Sequence, residues 1–228
     1  MDTITIILIV VILVLLYLLY AYFTDSSTEL IQTASLLTTV PPIENISRPT
    51  NTRYGHSVWI YVNTWDNTAN KTIISRENNF KLYLDQNSPI LKLDVYMNDD
   101  TYETMIITNN FPLQKWVNIS ISMDNQFADA YIDGKLVRSQ RFYKDSDVTP
   151  KMPPGKEVNL YLGNKDSGNF DAYATLLKRW TAPIDPETAW DNYMKGNGSS
   201  KMASALNDIG IDLSILQNNT EIKKFSLV

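Results

Sequence analysis

The sequence predicts a mostly β protein: a two-sheet antiparallel sandwich, preceded by one N-terminal transmembrane helix and followed by one or two short helices. Three observations predict it. Residues 3–23 form an apolar run without charge, glycine or proline. From Val58 to Trp180, about ten short runs rich in β-branched and aromatic residues are separated by Asn, Asp and Pro. No helical period interrupts them, which is the pattern of packed sheets.

The apolar run comes first. At about 1.5 Å per residue it reaches about 30 Å, the thickness of a bilayer core. No basic region precedes it and Ala21-Tyr22-Phe23 is a poor small-x-small cleavage site, so it reads as an uncleaved anchor. Ile4, Leu8, Val11, Leu15 and Leu19 mark its apolar length, and Tyr20 and Phe23 its aromatic end. The first basic residue is Arg48, so charge does not orient the anchor.

Residues 24–53, rich in Ser, Thr, Pro and Asn, read as a tether. Glu29 to Val40 is expected to hold a short helix carrying Leu30, Leu36 and Leu37, ended by Pro41-Pro42. Residues 54–196 form the sandwich. Phe80, Leu82 and Leu84 alternate with Lys81 and Tyr83, and Val117, Ile119, Ile121 and Met123 with Asn118, Ser120 and Ser122. This is the half-buried antiparallel pattern. Asp133-Gly134 between Phe127–Ile132 and Lys135–Phe142 marks a tight hairpin.

A helix follows, with Asp185 as N-cap, Pro186 in its first turn and Gly196 as its stop. Trp190, Tyr193 and Met194 would pack it on the sandwich. Residues 197–228 form a C-terminal extension. A second helix is expected over Ser200–Asp208, and the tail beyond Gly210 reads as a final strand or a partner-docking segment.

Composition narrows the chemistry. Twenty Lys and Arg against 25 Asp and Glu give a net charge of −5, which disfavours nucleic acid. Absence of cysteine removes thiol chemistry and disulfides, and favours assembly in a reducing compartment. The single histidine, His56, cannot supply a site needing two imidazoles. Sequons are no more frequent than an Asn-rich composition produces, and Asn118 falls within an expected strand.

The order Val58-Trp59-Ile60, Trp116-Val117-Asn118-Ile119, Ala130-Tyr131-Ile132-Asp133-Gly134-Lys135-Leu136, Leu160-Tyr161-Leu162-Gly163 and Phe170-Asp171-Ala172-Tyr173 resembles the concanavalin A-like lectin and laminin G jelly roll. The resemblance covers about residues 53–196. It departs at Phe170-Asp171-Ala172, where the family usually has Phe-x-Gly. It implies a jelly-roll sandwich and, for some relatives, glucanase chemistry. That chemistry needs two carboxylates about 5 Å apart, typically from E-x-D-x-x-E, and no such run occurs. The chain is therefore expected to be non-enzymatic, with no catalytic or metal residues assigned.

Membrane-anchored modules of this type also occur among virion proteins of large DNA viruses. The expected role is a minor capsid or membrane component, located at the interface of virion inner membrane and capsid, with the lipid bilayer and shell proteins as partners. The alternative is a membrane-anchored, lectin-like adhesion module binding a glycan. Its candidate ligand residues are Trp65, Asp99, Asp100, Asp145, Asp147 and Asp166, all on expected loops. The same aspartates could hold a calcium ion, as in laminin G relatives, although acidic pairs more commonly cap turns. No other cofactor is implied. Loop aspartates and exposed aromatics converging on one rim would favour sugar; a large apolar patch would favour assembly.

Overall fold

The computed structural model describes residues 8–17, 27–144, 147–165, 169–198, 211–217 and 220–227. Helix α1 is seen over residues 8–17. The expected span is not shown: among the described residues no helix is long and apolar enough to cross a membrane. Leu8, Val11 and Leu15 lie on α1 and are exposed, whereas Ile4, Leu19, Tyr20 and Phe23 lie outside the described residues.

The six-stranded sheet contains β1 (Ser27–Ser35), β2 (Arg53–Val62), β7 (Trp116–Asp124), β8 (Phe127–Ile132), β9 (Lys135–Arg141) and β11 (Ala172–Trp180), ordered β1-β11-β2-β7-β8-β9. Facing it are β3 (Lys71–Arg76), β4 (Phe80–Leu84), β5 (Leu91–Tyr96), β6 (Tyr102–Thr108) and β10 (Leu160–Leu162), ordered β10-β3-β4-β5-β6. Every pairing is antiparallel. The core lies between the sheets, built from residues such as Val58, Ile60, Leu82, Leu93, Met105, Ile119 and Leu177. Asp133 and Gly134, both at positive φ, make the predicted β8–β9 turn. A Cβ on Gly134 would come within 3.1 Å of Trp190 and Tyr193 atoms, so glycine suits both its conformation and its space.

The two sheets differ on their outer faces. In β5 burial alternates strictly, whereas β2 and β7 are buried at nearly every position. The cause is helix α2 (Pro186–Met194), which lies on the six-stranded sheet. Asp185 caps it, its side chain accepting the Thr188 N–H at 2.7 Å. The inward residues differ from expectation: Ala189 and Asn192 are buried, and Tyr193 stacks on Trp59, while Trp190 and Met194 are exposed. The sheet surface beneath the helix is partly polar, which selects Asn192. Its amide donates to Ser57, which Asn118 also contacts.

The tether reading of 24–53 is corrected. No helix forms over Glu29–Val40; β1 pairs with the edge of β11 instead. Leu36 is buried and Ile43 bridges to Leu160. The partner edge of β11 overrides the local spacing of Leu30, Leu36 and Leu37. The tail forms a hairpin of β12 (Ile211–Gln217) and β13 (Thr220–Leu227), which make a separate two-stranded sheet. The second helix expected over Ser200–Asp208 falls outside them.

One end of the core holds two buried arginines, Arg76 and Arg179, solvated by backbone carbonyls, with Glu157 near enough to Arg76 to favour its charge. Arg76 donates to the carbonyls of Pro49, Pro154, Gly155 and Val158. Arg179 donates to those of Ser47 and Arg48, and its Nη1 lies 2.8 Å from His56 Nε2. Burial first, then the two guanidiniums, holds the His56 imidazole well below its usual range.

Two outcomes follow from this cluster. Because native His56 resists protonation while the unfolded chain accepts a proton near pH 6.5, stability is intact above that pH and falls as pH drops below it. The slope should approach roughly 1.4 kcal/mol per pH unit in urea denaturation, and His56→Gln should flatten it. Arg76→Lys cannot reach all four carbonyls and should cost roughly 3 kcal/mol in the same measurement at pH 7.5.

Candidate functional site: the open face of the five-stranded sheet

No helix among the described residues covers the outer face of the five-stranded sheet, so most of its outward side chains reach solvent, while Tyr83 is buried among its neighbours on that face. Their identity follows from strand parity. Phe80, Leu82 and Leu84 point inward, so Lys81 and Tyr83 point out; Leu91, Leu93 and Val95 send Lys92, Asp94 and Tyr96 outward. Register then aligns Tyr161, Ser75, Lys81, Asp94 and Thr104 in one row across all five strands.

Four tyrosines dominate this face, and three are braced by a lysine. Lys81 lies over the Tyr83 ring, Lys151 over Tyr96 and Lys165 over Tyr161, each between 5.1 and 5.7 Å. Tyr102 packs against Tyr96 at 4.9 Å and remains 51% exposed. Asp94 accepts from the Thr104 hydroxyl at 2.6 Å and from Tyr83 at 3.3 Å. Between Tyr102 and Tyr161 runs a groove of about 290 Å³, lined also by Ser75, Glu77, Lys81 and Lys165. Lys165 and Glu77 pair across it at 3.6 Å. Aromatic rings, cations and acceptors thus share one groove, an arrangement able to bind a flat, polyhydroxylated ligand by stacking and hydrogen bonds.

The sequence-derived candidates are only partly gathered here. Asp99 and Asp100 form the β5–β6 turn at the rim of this face. Asp99 caps Thr101 and meets Lys144 at 3.6 Å; Asp100 accepts from Tyr96 and Lys151. Asp147 approaches the same turn through its carbonyl, which accepts from Asn98. Trp65 sits at the opposite end of the sandwich, beneath Lys71 at 4.4 Å and bonded to Asn67. Asp145 and Asp166 lie outside the described residues. Among the described residues no group of three acidic or histidine side chains gathers as a metal site.

The tyrosines were missed because each looks ordinary alone. The alternation Lys81-x-Tyr83 and Lys92-x-Asp94-x-Tyr96 was visible, but not the strand order that joins these residues.

Charge on this face is set over a wide pH range. Hydrogen bonds hold Asp99 (to Thr101) and Asp100 (to Lys151) below the usual carboxylate range. Burial, then Asp94, pushes Tyr83 up to about 12, and the bond to Asp100 raises Tyr96. A spectrophotometric titration should therefore show these phenols still protonated at about pH 10, where an ordinary tyrosine is half ionised.

The chain matches the family described as the concanavalin A-like lectin/glucanases superfamily (laminin G, type 3) over residues 38–196, well over half its length. Solved structures share the fold. The botulinum neurotoxin serotype D ligand binding domain, in complex with N-acetylneuraminic acid, superposes with a TM-score of 0.55 at 15% identity, covering 75% of this chain and 44% of that one. The botulinum neurotoxin type G receptor binding domain gives 0.51 at 12%, covering 75% and 51%. The serotype D/C binding domain gives 0.53 at 12%, covering 74% and 46%. This chain thus spans about half the length of these structures, and at such identities the likeness is one of fold. No curated protein matches it.

Proposed function

Since this chain belongs to the concanavalin A-like lectin/glucanases superfamily, we propose that it is a carbohydrate-binding module, receiving a glycan on the open face of its five-stranded sheet. The observation that carries this reading is the groove between Tyr102 and Tyr161, with Glu77, Lys81 and Lys165 inside it. A neurotoxin domain of the same fold in complex with N-acetylneuraminic acid adds support. The module binds without turnover, and residues 3–23 hold it on a membrane, as their length and apolarity imply.

A second reading is a structural link between a membrane and a protein shell, at the virion membrane or capsid. It is favoured by the β12–β13 hairpin, which pairs only with itself among the described residues; isolated two-stranded hairpins are marginally stable.

The test is a glycan array probed with the detergent-solubilised full-length chain. At least one glycan should bind, and Tyr102→Ala and Tyr161→Ala should each weaken it about tenfold, ~1.4 kcal/mol. If nothing binds, and crosslinks join the sandwich or residues 197–228 to a shell protein, the structural reading replaces this one.

A further inference from the structure

A second aromatic cleft lies away from the tyrosine face. It has a volume of about 620 Å³, within the range of ligand sites. Three segments line it: the loop after β6 with Thr108 and Asn110, the β8–β9 hairpin with Asp133 and Lys135, and α2 with Trp190 and Tyr193.

Its aromatic wall is anchored from below. Buried Trp59 stacks on Tyr193 at 5.5 Å, and Tyr193 meets Trp190 at 5.7 Å, so the series runs from the sheet surface to solvent. Trp190 is 42% exposed, beside the buried Ala189. Gly134 brings the hairpin turn against Trp190 and Tyr193, leaving no room for a side chain between them. The rings are therefore held in place before any ligand arrives, which lowers the entropic cost of binding.

The polar wall is only partly engaged. Asp133 Oδ1 accepts the Asn118 N–H at 2.9 Å, which orients the carboxylate. Its Oδ2 is 3.9 Å from Lys115 Nζ, a distance that leaves acceptor capacity. The exposed Asn110 amide adds a donor and an acceptor from the facing loop. A pyranose ring matches these demands: one face presents C–H groups to an electron-rich indole, and its hydroxyls both donate and accept.

We propose that this cleft is a second carbohydrate subsite, taking a single terminal pyranose with its C–H face on Trp190 and its hydroxyls on Asp133 and Asn110. It shares no lining residue with the groove on the five-stranded sheet, so either site can fail alone.

The experiment is saturation-transfer NMR on the full-length chain in detergent, with four probes: methyl α-glucoside, methyl α-mannoside, methyl β-galactoside and methyl N-acetyl-β-glucosaminide. At least one probe should receive saturation, and Trp190→Ala should weaken its binding about tenfold. Trp190→Phe should retain part of the signal. Each comparison is repeated in the Tyr102→Ala background, which disables the other groove, and the signal that remains there should still fall with Trp190→Ala. Asn110→Ala, on an exposed loop, should also reduce it and keeps the test valid if Trp190→Ala fails to fold. Saturation of none of the probes, or signal that survives both Trp190→Ala and Asn110→Ala, would overturn the second subsite. Signal lost only with Tyr102→Ala would also overturn it, while leaving the tyrosine face as the site.

Discussion

Two buried guanidiniums solvated by backbone carbonyls set the terms for one end of this molecule. A buried positive charge must be solvated by something, and here the solvent is backbone carbonyl oxygen. Arg76 gathers carbonyls from the segment before β2 and from the stretch between β9 and β10. Arg179 gathers Ser47 and Arg48 and takes His56 as a neutral acceptor. Long, irregular connections are thereby converted into fixed parts of the sandwich. The histidine must stay neutral for the arrangement to hold, since protonation would add a third buried cation and remove an acceptor.

A second constraint is the unequal treatment of the outer faces. Covering the six-stranded sheet with α2 demands polar matching beneath the helix, supplied by Ser57, Asn118 and Asn192. On this helix Tyr193, not Trp190, stacks on the sheet residue Trp59. Leaving the five-stranded sheet uncovered lets tyrosine and lysine occupy its outward positions, where rings partly covered by ammonium groups are stable in water. The candidate binding surfaces are thus by-products of how each sheet resolves its exposed side.

Most of the fold was legible because it rests on period-two alternation and turn chemistry, both local. Asp133-Gly134 and Asp185-Pro186 act within four residues, so their hairpin and helix were readable and form as expected. What was not legible depends on partners distant in sequence. β1 is a strand only because the β11 edge lies beside it, and nothing between Ser27 and Ser35 announces that neighbour. Trp190 and Tyr193 share one helix face by spacing, yet only contact with Trp59 decides which is inward. Tyr161 and Tyr102 are 59 residues apart in sequence and join one groove through strand order alone. Acidic turns, by contrast, were conspicuous in the sequence and are mostly occupied with their own capping.

The edge position of β1 also has a mechanical meaning. It is the first strand of the sandwich, so tension arriving from residues before Ser27 enters the domain there. A pull along the strand axis loads the β1–β11 hydrogen bonds together in shear, while a pull across the sheet opens them one after another. Should β1 peel away, the chain is caught again at Ser47, Arg48 and Pro49, whose carbonyls are gripped by Arg179 and Arg76. The domain therefore has two catches in series on its leading segment, and the direction of force decides which yields first.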